Sequence, residues 1–202
     1  MFTGLIAGVG RLASRELRGG DARLRIEVGT LPWGKAADVR MGESISVNGT
    51  CLTVVAFDES GFEADASNET LALTTLGDLP LGRALNLERA MLPTDRLGGH
   101  LVSGHVDGVG SVVHHWDDGR AQRWVFAAPA SLRRYIAAKG SICVDGVSLT
   151  VNGVDDEGFE VALVPHTLAH TAFSETRPGD PINLEVDMLA RYVERLLAAK
   201  DA

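Results

Sequence analysis

The chain contains two copies of one pattern, and this repeat constrains the fold more than any other feature of the sequence. Residues 101–110 (LVSGHVDGVG) match residues 1–10 (MFTGLIAGVG) at a shift of 100 positions. Residues 143–188 then align without a gap on residues 46–91 at a shift of 97 positions. A repeat of this length lies far above the roughly 20–50 residues of solenoid repeats. The repeat therefore predicts one domain fold used twice, with two similar pockets.

The length and charge of the chain limit its function classes. At 202 residues it has room for two small domains. Its formal net charge of −8 argues against a nucleic-acid partner, because backbone phosphates require a basic face. Its two cysteines, Cys51 and Cys143, occupy non-equivalent places in the two copies and do not suggest a disulfide framework.

The first residues lack the basic leader of a signal peptide. No run of the chain approaches the ~18 consecutive apolar residues that a membrane helix needs. We therefore expect a soluble, cytoplasmic protein without a membrane partner.

Each copy contains six short runs rich in Val, Ile, Leu and Thr, separated by Gly, Asp, Asn or Pro. Such runs predict an all-β fold, a small antiparallel barrel or sandwich. The predicted strands of the first copy are residues 2–13, 23–28, 44–48, 51–57, 61–66 and 84–90. Those of the second copy are residues 101–113, 122–127, 141–145, 148–154, 158–163 and 181–186.

Helical spacing is limited to short segments. A helix is predicted at residues 129–139, with apolar residues on one face and Gly140 as its stop. Its counterpart in the first copy, residues 31–41, is less regular. Single turns of helix are predicted at residues 70–76 and 167–173.

The segment from Asp187 to Lys200 lies beyond the repeat and has apolar residues at helical spacing. These residues are Met188, Leu189, Tyr192, Val193, Leu196 and Leu197. A helix this short is marginal alone and needs a surface to pack against. It either caps its own barrel or joins subunits, and its position as a tail favours oligomerisation.

Two familiar kinds of site are not supported by the spacing. Zinc needs three or four converging ligands, and the pairs His166/His170 and His100/His105 lack a CxxC or HExxH context, so we predict no metal. The glycine pair at residues 8 and 10 is not followed by GxxG, so the dinucleotide fingerprint fails. We interpret these glycines as kinks in a tight barrel strand.

Cys51 and Ser148 occupy the same place in the two copies, and each is followed by Leu-Thr. The pair is open to three interpretations. Both side chains pack in the core, as free cysteines commonly do. Alternatively, both donate hydrogen bonds to a ligand, or the thiol, with an ordinary pKa of about 8.5, becomes a nucleophile beside a suitable neighbour.

Three further residues combine a structural interpretation with a functional one. His105 falls where the first copy has Leu5, so the two pockets differ, and a histidine suits proton transfer near neutral pH. Asp187 suits the N-cap of the terminal helix. Lys139 suits the C-terminus of the predicted helix before it.

Four motifs on this duplicated frame together resemble the riboflavin synthase family, and the resemblance covers the whole chain. The motifs are MFTGLI at residues 1–6, NGTCLTV at 48–54, GGHLVSGHVDG at 98–108 and DGVSLTV at 145–151. The resemblance implies two tandem six-stranded antiparallel Greek-key barrels with short helices and a C-terminal α-helix. It places the domains at residues 1–97, 98–186 and 187–202.

The resemblance also implies the reaction. The family converts two molecules of 6,7-dimethyl-8-ribityllumazine into riboflavin and 5-amino-6-ribitylaminouracil, the final step of riboflavin biosynthesis, without metal or cofactor. It implies a homotrimer held partly by the C-terminal helices. Each working site then lies between the N-terminal barrel of one subunit and the C-terminal barrel of its neighbour. Association with lumazine synthase is a further expectation.

Site residues follow from the matching positions. The residues nearest the chemistry are expected to be Phe2, Cys51, His105 and Ser148. The N-barrel pocket would use Gly4, Leu5, Ile6, Cys51, Leu52, Thr53, Asp65, Ala66, Ser67, Asn68, Glu69 and Thr70. The C-barrel pocket would use Gly104, His105, Val106, Ser148, Leu149, Thr150, Ala162, Leu163, Val164, Pro165, His166 and Thr167. Lys139 would reach the ligand in a neighbour's N-barrel.

The hypothesis for their roles divides the chemistry between the pockets. His105 and Ser148 assist proton transfer and orientation, while Cys51 polarises the acceptor ring or adds to it. A rival function is a lumazine- or flavin-binding protein without catalysis, in which the second site motif should decay. Another is the flavin-binding barrel of an oxidoreductase, which would need a nicotinamide domain that this chain has no room for.

Overall fold

The computed structural model describes residues 1–29 and 39–198, and within them twelve strands repeat the same pattern in each half. Strands β1 to β6 span Gly8–Arg18, Asp21–Glu27, Ser44–Val47, Thr50–Phe57, Gly61–Ala66 and Ala84–Arg89. Strands β7 to β12 span Gly108–Asp118, Ala121–Ala127, Ser141–Val144, Val147–Val154, Gly158–Leu163 and Pro181–Val186.

Each set of six strands closes into an antiparallel barrel. The first barrel has the order β1-β2-β5-β4-β3-β6, and the second has the same order around its wall. Strands β3, β4 and β5 pair in succession, and β6 returns to lie beside β3. This is a Greek-key arrangement. The predicted all-β fold of two six-stranded Greek-key barrels is confirmed.

The alternation of buried and less buried residues along the strands builds the core of each barrel. In β2, Ala22, Leu24 and Ile26 are buried, whereas the residues between them are only partly so. In β8, Trp124 and Phe126 are buried in the same alternation. Successive side chains point to opposite faces of a strand, so the apolar set fills the barrel interior. Each barrel therefore has a buried hydrophobic cluster of its own.

The first strand of each barrel begins later than the sequence predicted. β1 starts at Gly8 rather than at residue 2, and β7 starts at Gly108 rather than at residue 101. Residues 1–7 and 101–107, the initial segments, precede the strands of their own barrel wall, and part of their backbone hydrogen bonds with the other initial segment and with the opposite barrel. The predicted strands 2–13 and 101–113 are wrong on this point.

Four short helices accompany the barrels in the part of the chain that the structure describes. They are α1 (Asn68–Leu73), α2 (Ala130–Arg133), α3 (Pro165–His170) and α4 (Met188–Ala198). The predicted turns of helix at 70–76 and 167–173 are confirmed as α1 and α3, each followed by a 3-10 turn. The less regular segment 31–41 lies mostly outside the described residues.

The helix predicted at residues 129–139 is wrong in its length, because only α2, a single turn, forms. After α2 the N–H groups of Tyr135 and Ile136 reach carbonyls only three residues back. Lys139 then adopts a φ of 68°. Left-handed backbone cannot continue a right-handed helix. The apolar face is present, since Leu132 and Ile136 pack in the second barrel's cluster.

The terminal helix α4 is attached to the second barrel by polar contacts. The Asp187 carboxylate accepts the N–H of Leu189 at 3.0 Å, as predicted for a cap. Arg191 donates to the Asp107 carboxylate and to the His105 carbonyl, both at 2.8 Å. The apolar face of α4 is exposed. No helix within residues 1–29 and 39–198 is long and apolar enough to cross a bilayer.

A pseudo-symmetric polar network joins the barrels. The side-chain amide of Asn86 donates to the Asp145 carbonyl at 2.9 Å, and that of Asn183 donates to the Asn48 carbonyl at 2.8 Å. Their side-chain oxygens accept the N–H groups of Ala172 and Thr75 in the opposite half. Asn86 and Asn183 are equivalent in the repeat and are almost fully buried. Each barrel therefore satisfies backbone groups of the other.

Candidate functional site

The two initial segments meet each other at the centre of the molecule. The N–H of Phe2 donates to the Val102 carbonyl at 2.8 Å, and the N–H of Val102 donates to the Phe2 carbonyl at 3.1 Å. Phe2, Val102 and Cys143 form a small buried cluster, with Cys51 packed against it. The segments are thereby fixed between the barrels.

From this meeting point each segment contacts the opposite barrel. The N–H of Ser148 donates to the Gly4 carbonyl, and the N–H of Cys51 donates to the Gly104 carbonyl, both at 2.8 Å. A Cβ at Gly4 would lie 2.5 Å from the Ser148 Cβ, and one at Gly104 would lie 2.7 Å from the Cys51 Cβ. Gly4 and Gly104 also have φ values of 74° and 78°. Only glycine fits both the close approach and the left-handed backbone.

A buried carboxylate in each barrel holds the segment that starts its own half. Glu88 accepts hydrogen bonds from the backbone N–H groups of Thr3 and Gly4 at 2.7 and 3.0 Å. Glu185 accepts those of Gly104 and His105 at 2.9 and 3.0 Å. Burial raises the pKa of Glu88, against the opposing effect of these donors. Each segment is thus fastened to one barrel and pressed against the other.

These contacts correct the grouping of the predicted pockets. The sequence placed Gly4, Leu5 and Ile6 with Cys51, but Gly4 contacts Ser148. Ile6 packs against the hydrophobic cluster of the second barrel. In the same way, Gly104 of the second copy contacts Cys51 of the first barrel. The error arose because the repeat aligns each initial segment with the barrel of its own copy. In the structure each initial segment contacts the opposite barrel.

The first-barrel set therefore combines Cys51, on β4, with Gly104 and the end of β5. β4 and β5 pair in antiparallel register through Val54 and Ala64, so Cys51 lies toward the segment that follows β5. The predicted residues run from the end of β5 into that segment and are Asp65, Ala66, Ser67, Asn68, Glu69 and Thr70. Ser67 caps α1 by accepting the N–H of Thr70 at 3.1 Å.

Asp65, in the first-barrel set, already has an ionic partner. Arg23 donates from Nη2 to its Oδ2 at 3.0 Å. The Arg23 hydrogen bond is the main cause that lowers the pKa of Asp65. This carboxylate is therefore a charged, exposed group at the rim.

The second-barrel set combines Ser148, on β10, with Gly4 and the end of β11. Ser148 is half-buried, and Thr150, two residues further on the same strand, is exposed. The set continues along β11 with Ala162 and Leu163 and into the start of α3 with Val164, Pro165, His166 and Thr167. His105 does not join this set, because its segment lies against Cys51.

A histidine that the sequence did not select contacts Ser148. The Nδ1 atom of His100 lies 2.7 Å from the Ser148 Oγ. His100 is 9 % exposed, and burial lowers its pKa. Its backbone N–H donates to the Thr3 carbonyl at 3.2 Å. The signal in the sequence was the pair Gly98-Gly99, which permits a close approach that a larger residue would prevent.

Lys139 has a backbone conformation that favours glycine. Its φ of 68° corresponds to the φ of 79° at Gly42, the equivalent position in the first barrel. A left-handed lysine is uncommon and costs about 1–2 kcal/mol relative to glycine. Its side chain is exposed. An observed strain of this kind supports a functional role for the side chain.

Phe2 is fully buried, with no exposed surface. A Cβ at Gly104 would meet the Phe2 ring at 2.9 Å, so the ring lies directly behind the Cys51 contact. Leu5, by contrast, is half-exposed. In this conformation Phe2 can support the site by packing.

His166 and His170 lie one turn apart on α3. Their rings stack with centroids 4.1 Å apart, and the His170 Nδ1 lies 2.8 Å from the His166 carbonyl oxygen. Within residues 1–29 and 39–198, no group of three His, Cys, Asp or Glu side chains is arranged to hold a metal ion.

Two cavities lie away from Cys51 and Ser148. One of about 1100 Å³ lies beside the first barrel, with a lining that includes Thr3, Ser44, Glu88, Arg89 and Met91. Another of about 560 Å³ lies between the barrels, with a lining that includes Asn48, Thr75, Arg83, Asp145 and Asp180. A third cavity, of about 410 Å³, is lined in part by Pro165 of the second-barrel set.

The two sets offer different chemistry on the same frame. One presents a thiol, which is a weak donor and the stronger nucleophile of the pair. The other presents a hydroxyl hydrogen-bonded to a histidine. Two similar ligands can therefore be held in the same way and treated differently.

Comparison with known families agrees with this duplicated architecture. The model of the lumazine binding domain matches the chain twice, at residues 3–90 and 103–187. The two matches cover both barrels and most of both initial segments.

Relatives of known activity match the chain over nearly its whole length. The riboflavin synthase of Photobacterium phosphoreum is 46 % identical, covering 98 % of this chain and 89 % of that protein. The riboflavin synthase of Brucella abortus is 44 % identical, covering 97 % and 98 %, and that of Bacillus subtilis is 41 % identical, covering 98 % and 90 %.

Solved structures share the fold. LumP complexed with riboflavin superposes with a TM-score of 0.84 at 23 % identity, covering 92 % of this chain and 99 % of that chain. LumP complexed with 6,7-dimethyl-8-(1'-D-ribityl) lumazine superposes with a TM-score of 0.82 at 22 % identity, covering 92 % and 99 %. The repeat, the barrels and these matches together show that the chain belongs to the lumazine binding domain family and, within it, to the riboflavin synthases.

Proposed function

We propose that the chain catalyses the riboflavin synthase reaction with one 6,7-dimethyl-8-ribityllumazine held by each set of residues. A four-carbon unit passes from one lumazine to the other, and the products are riboflavin and 5-amino-6-ribitylaminouracil. The observation that carries this proposal is the pseudo-symmetric crossing, which puts Gly104 against Cys51 and Gly4 against Ser148. Two equivalent binding frames suit a reaction between two copies of one molecule.

Duplication has a clear energetic advantage for such a reaction. Two rings held face to face react in an effectively intramolecular step, so much of the entropic barrier is met on binding. The frames must still differ, because one lumazine loses a proton from its C7 methyl group and the other accepts a nucleophile. The first barrel has Cys51 where the second has Ser148, and these two side chains supply that difference.

We assign the roles as follows. Cys51 polarises the acceptor ring or adds to it, and Phe2 supports Cys51 from behind. Ser148 orients the ligand of the second barrel. His105, which is exposed beside Gly104, assists proton transfer from the side of the first barrel.

The working site is proposed to form between subunits of a homotrimer. Lys139, His105, Thr53, Thr150 and His166 are exposed in the single chain, as the residues of an open half-site would be. The terminal helix α4 also leaves its apolar face uncovered, with Leu189 and Leu196 each 68 % exposed. Burying these faces against other copies would stabilise the assembly and bring Lys139 to a neighbour's first barrel. A cytoplasmic location and association with lumazine synthase stay predictions.

The test is to incubate the purified protein with 6,7-dimethyl-8-ribityllumazine alone. We expect one riboflavin for every two lumazines consumed. Ser148→Ala and His105→Ala should lower turnover more than they weaken lumazine binding. Tight binding without turnover would contradict the proposal and favour a lumazine-binding protein without catalysis.

A further inference from the structure

The cavity of about 560 Å³ between the barrels, the interbarrel cavity, is lined by equivalent residues of the two halves. Three repeat pairs lie in its lining, namely Asn48 and Asp145, Thr75 and Ala172, and Ala84 and Pro181. Among the described residues, no member of the sets around Cys51 and Ser148 lines it. Its volume falls in the range of roughly 300–1,000 Å³ that is typical of small-molecule pockets. The interbarrel cavity is therefore a candidate binding site separate from those two sets.

The walls of the interbarrel cavity favour a neutral ligand. Apolar side chains form much of the wall, and they include Leu71, Leu79, Pro80, Val109 and Pro181. Arg83 and Asp180, which also line the cavity, form an ion pair with each other. Asp78, a further lining residue, is exposed to solvent. Apolar walls whose charges are paired or solvated suit a ligand with apolar faces and a few polar groups.

Asn48 and Asp145 bring fixed polar groups to the interbarrel cavity. They are only 4 % and 7 % exposed. The Asn48 Oδ1 accepts the N–H of Asn86, and the Asp145 Oδ1 accepts the N–H of Asn183, both at 2.7 Å. The side chain of Asn86 also donates to the Asp145 carbonyl at 2.9 Å, so this one residue bonds to both. The two polar side chains are therefore neighbours with fixed orientations.

One polar atom of each side chain is left for a ligand. The Asn48 Nδ2 and the Asp145 Oδ2 have no hydrogen-bond partner among the described residues, and neither atom is sealed from open space by the protein. Since both residues line the cavity, these atoms face into it. An amide nitrogen is a donor, whereas an ionised carboxylate oxygen is an acceptor. The cavity thus presents one donor beside one acceptor between apolar walls.

We propose that the interbarrel cavity binds a neutral cyclic amide, whose carbonyl accepts the Asn48 amide and whose adjacent N–H donates to the Asp145 carboxylate. A cyclic amide carries these two groups side by side on one edge. Burial raises the pKa of Asp145 to about 7, and an N–H from the ligand stabilises the ionised form. The ligand contacts both barrels and so fastens one to the other. The proposal does not depend on the lumazine reaction, because the two kinds of site share no residue.

The first experiment titrates uracil, a small cyclic amide, into the 15N-labelled full-length protein at pH 8, where most of Asp145 is ionised. The side-chain amide signal of Asn48 is assigned from its loss in Asn48→Asp. It should shift with a Kd of about 1 mM or below. The compound 1,3-dimethyluracil has the same ring without an N–H and should bind about 10-fold more weakly or worse. An Asn48 signal that uracil leaves unmoved would overturn the proposal.

Exchanging Asn48 and Asp145 tests the donor and acceptor roles by calorimetry. Asp145→Asn keeps an acceptor for Asn183 but turns the free acceptor into a donor, and it should weaken uracil binding by about 10-fold or more. Asn48→Asp should do the same by turning the free donor into an acceptor. The double exchange again has one donor and one acceptor and should bind within about 3-fold of the wild type. Single variants that bind like the wild type, or a double variant as weak as the single ones, would refute the proposed pairing.

A steric block tests the location without changing either polar group. Val109→Trp adds a large ring at the cavity wall and should weaken uracil binding by about 10-fold or more. The matched control is Val113→Trp, at an exposed position of the same strand outside the lining, which should bind normally. Equal binding by the two variants would place uracil elsewhere and sink the proposal.

Thermal unfolding supplies the folding control for every variant. Uracil should raise the Tm of the wild type and of Val113→Trp, because a ligand of the native state stabilises it, and should leave the Tm of Val109→Trp nearly unchanged. A rise of the same size in all three would again contradict binding in the interbarrel cavity. None of these measurements needs turnover, so they judge this site even if the lumazine reaction fails.

Discussion

The two barrels share strand order, register and core pattern, yet they differ at the positions where the chain meets itself or a ligand. The first barrel has Cys51, Asn48 and Gly42 where the second has Ser148, Asp145 and Lys139. Each exchange changes hydrogen bonding or charge and leaves the backbone nearly as it was. At Asn48 and Asp145 the φ is 46° in both barrels. The comparison teaches that the duplicated frame is structural and that these three differences lie in single side chains.

The largest expected effects come from adding a methyl group where each initial segment meets the opposite barrel. Gly4→Ala would combine left-handed strain with overpacking against Ser148, and each costs about 1–3 kcal/mol. Gly104→Ala should do the same against Cys51. Gly19→Ala is the control, since Gly19 has a φ of 64° but nothing within 4 Å of the added Cβ. Denaturant unfolding should rank both variants well below Gly19→Ala; equal losses in all three would show that the crossing contacts are loose.

The next largest effect concerns Asp145, a buried acid whose equivalent in the first barrel is Asn48. Burial raises the pKa of Asp145 from 3.8 to about 7. Because the folded state holds the proton more tightly, this group favours folding below about pH 4, and that contribution is lost as pH rises to about 7. The loss amounts to as much as about 4 kcal/mol.

Asp145→Asn copies the first barrel and should remove this pH dependence, which makes the variant more stable than the wild type at pH 8. The reciprocal Asn48→Asp should introduce the same dependence in the first barrel. Unfolding free energies measured from pH 4 to pH 8 test both. A wild-type curve parallel to that of Asp145→Asn would show that Asp145 is ionised in the folded protein over this range.

A smaller effect is expected at Lys139, where the first barrel has Gly42. Lys139→Gly relieves the left-handed strain and should stabilise the fold by about 1 kcal/mol, partly offset by the greater freedom of glycine in the unfolded chain. If the side chain serves a ligand, KM for lumazine should rise several-fold in the same variant. Gains in stability with unchanged kinetics would remove Lys139 from the site.

The smallest effect on the single chain is expected at α4. Leu189→Ser and Leu196→Ser lie on its uncovered face and should change the stability of the monomer by less than about 0.5 kcal/mol. They should nevertheless dissociate a trimer and abolish turnover if the site forms between subunits. Sedimentation with activity over a range of protein concentrations provides the test. A monomeric variant with full activity would place both ligands within one chain.

Much of the fold was accessible from the sequence because it depends on local pattern. The alternation in β2 and β8 and the equal spacing of strands in both copies indicated two barrels. Errors occurred where hydrogen-bonding partners are distant in sequence. Residues 1–7 have the composition of a strand, but their carbonyls and N–H groups are satisfied by Glu88, Val102 and Ser148, which no window of sequence brings together.

The candidate site shows the same division. Cys51 and Ser148 could be selected because the repeat aligns them. Their neighbours could not, because an alignment matches each segment with its own copy and carries no information about the crossing. His100 was passed over for a related reason. Its importance comes from a contact across 48 residues, between an interbarrel segment and β10.

The sequence by itself determined the duplication, the barrel type, the terminal helix and the residue types at the two centres, since these follow from periodicity and from motifs. Tertiary structure alone decided which segment meets which barrel, which histidine touches Ser148 and which acid becomes buried. Those outcomes depend on the packing of two closed surfaces against each other. Burial and partner choice there are properties of the interface, and no single stretch of chain contains them.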